Sequence, residues 1–426
     1  MTKTASFRVL AISYTSYLFM GLLLTAFGPL IPDVTAYYGV GYAAVGNALI
    51  ISAVAFLPAV LLGGVWSRRI GPPLVVFIGA AILTAGYVVI ARAGSWPLFL
   101  TGLIMGNGVG FGLAETGLNT LILHLAAERK GAALNHLHFF PALGAMAGAP
   151  ICRLIVAMSG RWQQVYIILA VLMAFVAASG AALSLSPTLR KAVKEWRLAG
   201  SGTGSGSPGR TGDTGNSKGA GADQGGDSSK KAGSYRQLLK QPVMLVLALM
   251  ILLYVGSEMG ATNWMYSYLV EGLGAGAAAG AALSSLFWLG LCLGRLLSAR
   301  LSECWGYELL LWRGSLLAAV FFFIGLLSAM PGVVLVAFFL TGFSFASTFP
   351  TIMAAAGSYF PAHTDHATGL LMFGTGMGSV IFPPAMGYLA EAVSLPAAMF
   401  LAGLVIISLA GMARLLLMLR RKTEAK

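Results

Sequence analysis

Apolar residues in this chain gather into twelve long runs, separated for the most part by short polar connections. The runs fall near residues 8–30, 42–66, 73–92, 96–125, 132–157, 163–186, 242–270, 276–302, 308–330, 332–357, 366–391 and 395–418. Each holds about 20 residues or more, enough to cross a bilayer as a helix. Six runs precede one hydrophilic stretch and six follow it. The pattern predicts an all-α integral membrane protein with twelve transmembrane helices in two six-helix bundles, residues 1–186 and 242–426, joined by a linker over 187–241. The first run, behind Lys3 and Arg8, has the layout of a signal peptide. Eleven spans follow it and no clear small-residue cleavage site does, so it reads as a retained helix.

Composition agrees with the pattern. Of 426 residues, 58% are hydrophobic and 10% charged, and the mean hydropathy is +0.82. Polar groups this sparse could not cover a soluble protein of the same length. A net charge of +13 would suggest nucleic acid in a soluble chain, but its distribution says otherwise. Alternate loops hold Arg68 and Arg69, then Arg129 and Lys130, then the basic central linker, and the tail holds Arg420, Arg421 and Lys422. The opposite loops hold only Arg92 and Arg161, with Arg153 near the outer end of the fifth span. This is the positive-inside pattern, and it predicts cytoplasmic termini. The expected surroundings are a lipid bilayer, with contact to anionic headgroups, and no nucleic acid. Cys152, Cys292 and Cys304 have no metal-type spacing and read as small apolar fillers.

Residues 199–234 are rich in Gly, Ser, Asp and Lys, with no apolar period. Such a segment is expected to be a disordered tether. Just before it, Arg190 to Arg197 with Trp196 suits a short amphipathic helix on the inner surface. The halves resemble each other weakly. Phe99-Leu-Thr-Gly102 recurs as Phe339-Leu-Thr-Gly342, and the separation of Phe140 and Pro150 recurs in Phe373 and Pro383. These matches point to a parallel repeat. Gly106/Gly110, Gly144/Gly148, Gly256/Gly260, Gly290/Gly294 and Gly374/Gly378 are each four apart, a spacing that lets helix backbones approach closely. Gly374, Gly376 and Gly378 imitate a dinucleotide loop, but they lie inside an apolar span with no strand before them.

Ionisable groups inside a span cost about 2.5–3.5 kcal/mol on insertion scales, so those present need a reason. Glu115 lies just past the middle of the fourth run and Glu258 near the middle of the seventh. Both suit a carboxyl that loads and releases a proton; the alternative is a glutamate that only holds helices together. Asn119 shares a helix face with Glu115. Asn135 and His138, with His136 between them, open the fifth run, and Asn263 and Trp264 follow Glu258. With Trp288 these form the candidate substrate contacts: amides for hydrogen bonds and indoles for a ring face. His363, Asp365 and His366 are spaced as metal ligands can be, but they fall in a loop where an ordinary solvated cluster is the simpler account.

Several segments carry a resemblance to a known family. They are Gly112-Leu-Ala-Glu115-Thr116, Leu134-Asn135-His-Leu-His138-Phe-Phe-Pro-Ala-Leu-Gly144, Tyr254-Val-Gly-Ser-Glu258, and Phe287-Trp-Leu-Gly-Leu-Cys-Leu-Gly294-Arg295. Phe349-Pro350 and Tyr359-Phe-Pro361 complete the set. Along essentially all twelve spans the chain resembles the major facilitator superfamily, and within it the fucose–proton symporter family with its bacterial glucose/mannose permease relatives. The resemblance implies that Glu115 is the coupling acid and Asn135 a cavity asparagine. Departures count against fucose itself: Gly28 stands where the symporters carry an acid, His138 where they carry glutamine, and Pro141 where they carry a second asparagine. Glu258 stands where the glucose permeases have an acid. In the loop motif Gly64-Val-Trp-Ser-Arg68-Arg69-Ile-Gly71, Arg68 replaces the usual aspartate, so inner-gate pairing is expected to involve Arg68 and Arg69 with Arg295, Arg300 and Glu303.

The expectation is therefore a monomeric carrier in a bacterial-type plasma membrane, importing a hexose or related small polar solute with protons. Sodium is the alternative coupling ion, and no cofactor is expected. The rival reading is a proton-driven exporter of drugs or other amphipathic compounds, whose adaptable cavity would suit the 18 methionines. An intramembrane enzyme lacks support, since no nucleophile and base occur at a recognisable spacing.

Overall fold

A computed structural model describes residues 3–125, 130–187, 189–191, 193–195, 236–328, 330–361 and 364–424. Within these, the side chains of 3–8, 123–125, 130–138, 299, 364–365 and 422–424 stand outside the description. The tether over 199–234, Trp196, Arg197 and His363 are likewise outside it.

The described residues form helices throughout, twelve of them long and apolar enough to cross a membrane. In order these spans are Val9–Tyr38, Tyr42–Arg69, Pro72–Ala91, Trp96–Ile122, Phe139–Ser159 and Gln163–Leu185, then Pro242–Gly272, Ala277–Ser298, Tyr307–Leu327, Pro331–Tyr359, His366–Ala392 and Leu395–Arg421. Such lengths reach across the hydrocarbon layer while satisfying every interior backbone group within the helix. Prolines in the first turn start several of them, including Pro72, Pro97, Pro242 and Pro331, where the missing N–H costs no hydrogen bond. Gly39, at φ +63°, ends the first span in the left-handed conformation that a side chain would resist.

Three spans are less regular than the apolar pattern predicts. The first breaks after Leu24, tightens to a 3₁₀ turn over Gly28–Leu30 and resumes over Ile31–Tyr38. Pro29 and Pro32 leave backbone carbonyls there without their usual donors. The fourth widens to a π segment over Ile104–Gly110 before Phe111–Leu125, where glycines alternate and Tyr87 donates to Asn107 Oδ1 at 2.8 Å. The tenth is interrupted between Phe345 and Thr348, two residues ahead of Pro350.

Small residues set the packing. A Cβ added at Gly144 would stand 2.1 Å from the Leu18 carbonyl oxygen, and one at Gly148 would stand 2.3 Å from Thr25 Oγ1. In the other half, a Cβ at Gly378 would stand 2.4 Å from the Leu252 carbonyl and one at Gly374 would stand 2.8 Å from Ile251. The fifth span thus lies on the first as the eleventh lies on the seventh, and the Phe140/Pro150 and Phe373/Pro383 pairs sit within that shared arrangement. The other sequence match does not survive. Gly102 faces Gly86 and Ile90 of the third span, whereas Gly342 faces Phe287 of the eighth. Third and eighth are not counterparts in a six-span repeat, so the two glycines do not occupy equivalent positions in the halves.

Close approach makes one of these glycines a sharp test. Alanine at Gly342 would put its methyl 2.1 Å from the Phe287 carbonyl oxygen. Neither backbone can give way cheaply, so Gly342→Ala should cost about 1–3 kcal/mol. Gly411→Ala, with nothing within 4 Å, should cost nothing, and thermal unfolding in detergent would compare them.

The segment after the sixth span is helical where described. Leu189 and Val193, four residues apart, pack with Val9, Leu121 and Leu183 at the end of the first bundle.

Candidate functional site

Between the two halves lies a cavity of about 130 Å³, lined by Tyr17, Met20, Leu24, Phe111, Glu115, Pro141, Ala142, Glu258, Trp288 and Arg295. The first seven come from the first half and the last three from the second. That volume is roughly ten times what one water requires. The two candidate glutamates, 143 residues apart in the chain, therefore meet at one site.

Their surroundings differ. Glu258 is 6% exposed and accepts a hydrogen bond from the Tyr254 hydroxyl at 2.7 Å. Arg295 lines the same cavity, and its charge acts on Glu258 and on the Tyr254 hydroxyl. Glu115 is half-buried, and its carboxylate has no hydrogen-bond or ion-pair partner among the described residues. The Tyr17 hydroxyl donates to the Glu115 backbone carbonyl at 3.4 Å. One guanidinium can balance one carboxylate, and the second carboxylate must be neutral or leave net negative charge in a low-dielectric space. Protonation of Glu115 is therefore the change the site accommodates most directly.

Trp288 supplies an aromatic wall and carries a buried donor. It is 4% exposed, and its Nε1 has no hydrogen-bond partner among the described residues. A buried indole N–H ordinarily finds one. Asn119 lies one turn beyond Glu115, and its Oδ1 has no hydrogen-bond partner among the described residues. Asn119 is not in the cavity wall.

The remaining sequence candidates distribute as follows. Trp264 does not reach the cavity: it is 0% exposed, donates from Nε1 to the Pro383 carbonyl at 2.8 Å and packs its ring 5.5 Å from that of Tyr42. Asn263 turns back on its own helix, donating to the Met259 carbonyl at 2.8 Å. Asn135 and His138 lie on the helix Lys130–Ser159, and their side chains stand outside the described residues. Arg295, expected with the inner-gate charges, lines the cavity instead. Arg68, Arg69, Arg300 and Glu303 are exposed, with no ion pair joining them among the described residues. The charge pair at that end is one the sequence did not suggest. Arg420 Nε lies 3.4 Å from Glu308 Oε1, Tyr359 donates to the same carboxylate, and the Arg420 guanidinium stacks over the Tyr359 ring at 4.3 Å.

The end of the molecule opposite Arg68 is shut. Tyr42 bonds Glu271 across the halves, Ala43 N donates to Glu391 Oε2 at 2.7 Å and Tyr388 donates to Asn47 Oδ1 at 2.5 Å. Arg153 pairs with Asp33 and lies 5.4 Å over the ring of Tyr266. Slightly deeper, Ser285 donates to the Met146 carbonyl at 2.7 Å. Among pairs of described residues, every hydrogen bond that joins the halves lies toward this end.

Comparison with known proteins agrees with this architecture. The model of the Major Facilitator Superfamily matches residues 14–290 and 265–426. Bypass of stop codon protein 6 of Saccharomyces cerevisiae is 23% identical over 281 residues, 63% of this chain and 52% of that protein. Sodium-dependent glucose transporter 1 of Danio rerio is 29% identical over 143 residues, 33% of this chain and 23% of that protein. Its namesake in Rattus norvegicus is 27% identical over 139 residues, 33% of this chain and 28% of that protein. The chain thus spans about half the length of the first relative and about a quarter of the other two. Among solved structures, the nucleoside transporter NupG superposes with a TM-score of 0.73 at 13% identity, covering 96% of this chain and 99% of that one. The fold is the same. The chain belongs to the Major Facilitator Superfamily and is a multi-pass membrane protein.

Proposed function

We propose that this protein is a secondary active transporter that imports a hexose or a related small polar solute together with protons across a plasma membrane. The observation that carries the reading is the meeting of Glu115 and Glu258, from different halves, in one cavity lined also by Arg295 and Trp288. A proton on Glu115 neutralises the carboxylate that Arg295 does not serve. A polyhydroxyl solute offers an apolar ring face to the Trp288 indole. Sequence likeness to two sodium-dependent glucose transporters supports the hexose.

The excess of basic residues at the Arg68 end supports a cytoplasmic position for it. On that reading the structure is shut toward the outside, and the halves rock about the cavity to expose it to each side in turn. Solute-induced proton entry into proteoliposomes, across a panel of hexoses, tests the proposal. Acidification that depends on one sugar is the expected result. Its absence with every sugar, from folded and inserted protein, would turn the reading toward sodium coupling or toward the export of amphipathic compounds.

A further inference from the structure

The eighth span runs antiparallel beside the seventh, and two anchors fix their relative register. Glu258 and Trp288 line the same cavity. Nearer the shut end, a Cβ added at Gly280 would meet the Tyr266 ring at 2.8 Å, so 280 lies against 266. In antiparallel neighbours, a step of four residues back along one helix matches four forward along the other, about 6 Å in rise. Thr262 and Ser284 therefore fall at one level, midway between the anchors.

Both side chains are anomalous in the same way. Thr262 is 3% exposed and Ser284 is 1% exposed, yet Thr262 Oγ1 and Ser284 Oγ have no hydrogen-bond partner among the described residues. A hydroxyl within a helix usually bonds the carbonyl four residues back, as Ser257 and Ser285 do here. These two do not. A buried polar group left unpaired destabilises the conformer that buries it.

Their position supplies the reason. At this level the second half lies against the first: Gly28 approaches the carbonyls of Thr262 and Asn263, and Ser285 reaches the Met146 carbonyl. Beyond it lie the Arg153–Asp33 pair, Tyr266 and Glu271; before it lie Glu258, Tyr254 and Arg295. This seam parts when the shut end opens, and the two hydroxyls then face the passage to the cavity.

We infer that Thr262 and Ser284 line the part of the solute route that is closed in this structure, and form there a hydrogen-bonding subsite for a hydroxyl-bearing solute. The subsite rests on the transport reading given above. It adds a station between the shut end and the cavity. Each hydroxyl can donate one hydrogen bond and accept two, matching the mixed donor and acceptor groups of a sugar.

Thiol labelling tests the route without any assumption about the solute. Thr262→Cys and Ser284→Cys, each in a background whose native cysteines are replaced, are treated with a charged, membrane-impermeant thiosulfonate applied from the shut side. Labelling is expected while the halves move, and is expected to stop when Asn47→Cys and Tyr388→Cys are bridged in advance by a short thiol–thiol linker. No labelling in the unbridged protein, or labelling that bridging leaves unchanged, would overturn the inference. A second arm reads recognition with D-glucose. Thr262→Val with Ser284→Ala should raise the half-saturating glucose concentration about tenfold, and Thr262→Ser should restore most of it. If glucose moves in neither parent nor variants while both cysteines label as described, the route stands and the hexose assignment fails. If glucose moves equally well in both, the subsite fails.

Discussion

Glu115→Gln is expected to abolish sugar-driven proton entry while leaving sugar exchange across the membrane in place. Glutamine keeps the size and hydrogen-bonding reach of a protonated glutamate, so the cavity should still close around the solute. What it cannot do is release the proton on the other side. Loss of a positioned proton-transfer group costs on the order of a hundredfold or more, which in a flux assay reads as no signal. The pH response should change with it. In the parent, uptake weakens as the loading side is made alkaline, because the carboxyl must be protonated to move. In Glu115→Gln exchange should be flat over the same range. Glu258→Gln should behave differently, since it takes a carboxylate away from Arg295 and Tyr254. Tyr254 then loses its charged acceptor and the half-buried Arg295 a nearby countercharge, a loss of about 1–3 kcal/mol, so that variant should lose thermal stability as well as coupling. Equal loss of exchange in both variants would mean that the two acids hold the halves together and carry no proton.

Bridging the shut end should stop transport entirely. Tyr388 and Asn47 are in hydrogen-bond contact across the halves, so Asn47→Cys with Tyr388→Cys can be spanned by a short bis-thiosulfonate linker. Alternating access requires this contact to break in every cycle. A covalent link there should therefore drive uptake to background, and a reductant should restore it. The three native cysteines are free and must be replaced first. Cys304 in particular is exposed. Transport that persists after full cross-linking, verified by mass, would mean that this end stays closed throughout the cycle.

Much of the fold could be read from the chain because lipid leaves few choices. A run of about 20 apolar residues must be a helix if it crosses at all. The two glutamates stood out for the same reason. The errors arose where a residue's direction, rather than its depth, decided its role. Counting from Glu258 at 3.6 residues per turn, Thr262 comes round to within roughly 40° while Trp264 lies about 240° on. That arithmetic puts Trp264 on another face, where it packs on Tyr42, and it recommends Thr262 instead. Trp288 and Arg295 are seven apart, two turns on one face, so Arg295 could have been assigned to the cavity with Trp288. The neighbouring loop motif points instead to the gate charges. The cross-half contacts of Tyr42, Asn47, Glu271, Glu391 and Tyr388 left no trace in the sequence, since each pairs residues hundreds of positions apart.

One of those contacts bears on how the protein is made. The first turn of the second span receives its terminal acceptor from Glu391, 348 residues further along the chain. At a synthesis rate of roughly 5–20 residues per second, that acceptor emerges about 20–70 s after the turn it serves. Throughout that interval the N–H group at Ala43 must be met by water or headgroups, holding the start of the second helix near the membrane surface. The nascent first half is in this respect an unfinished object, and its last local structure forms only when the eleventh helix is in place.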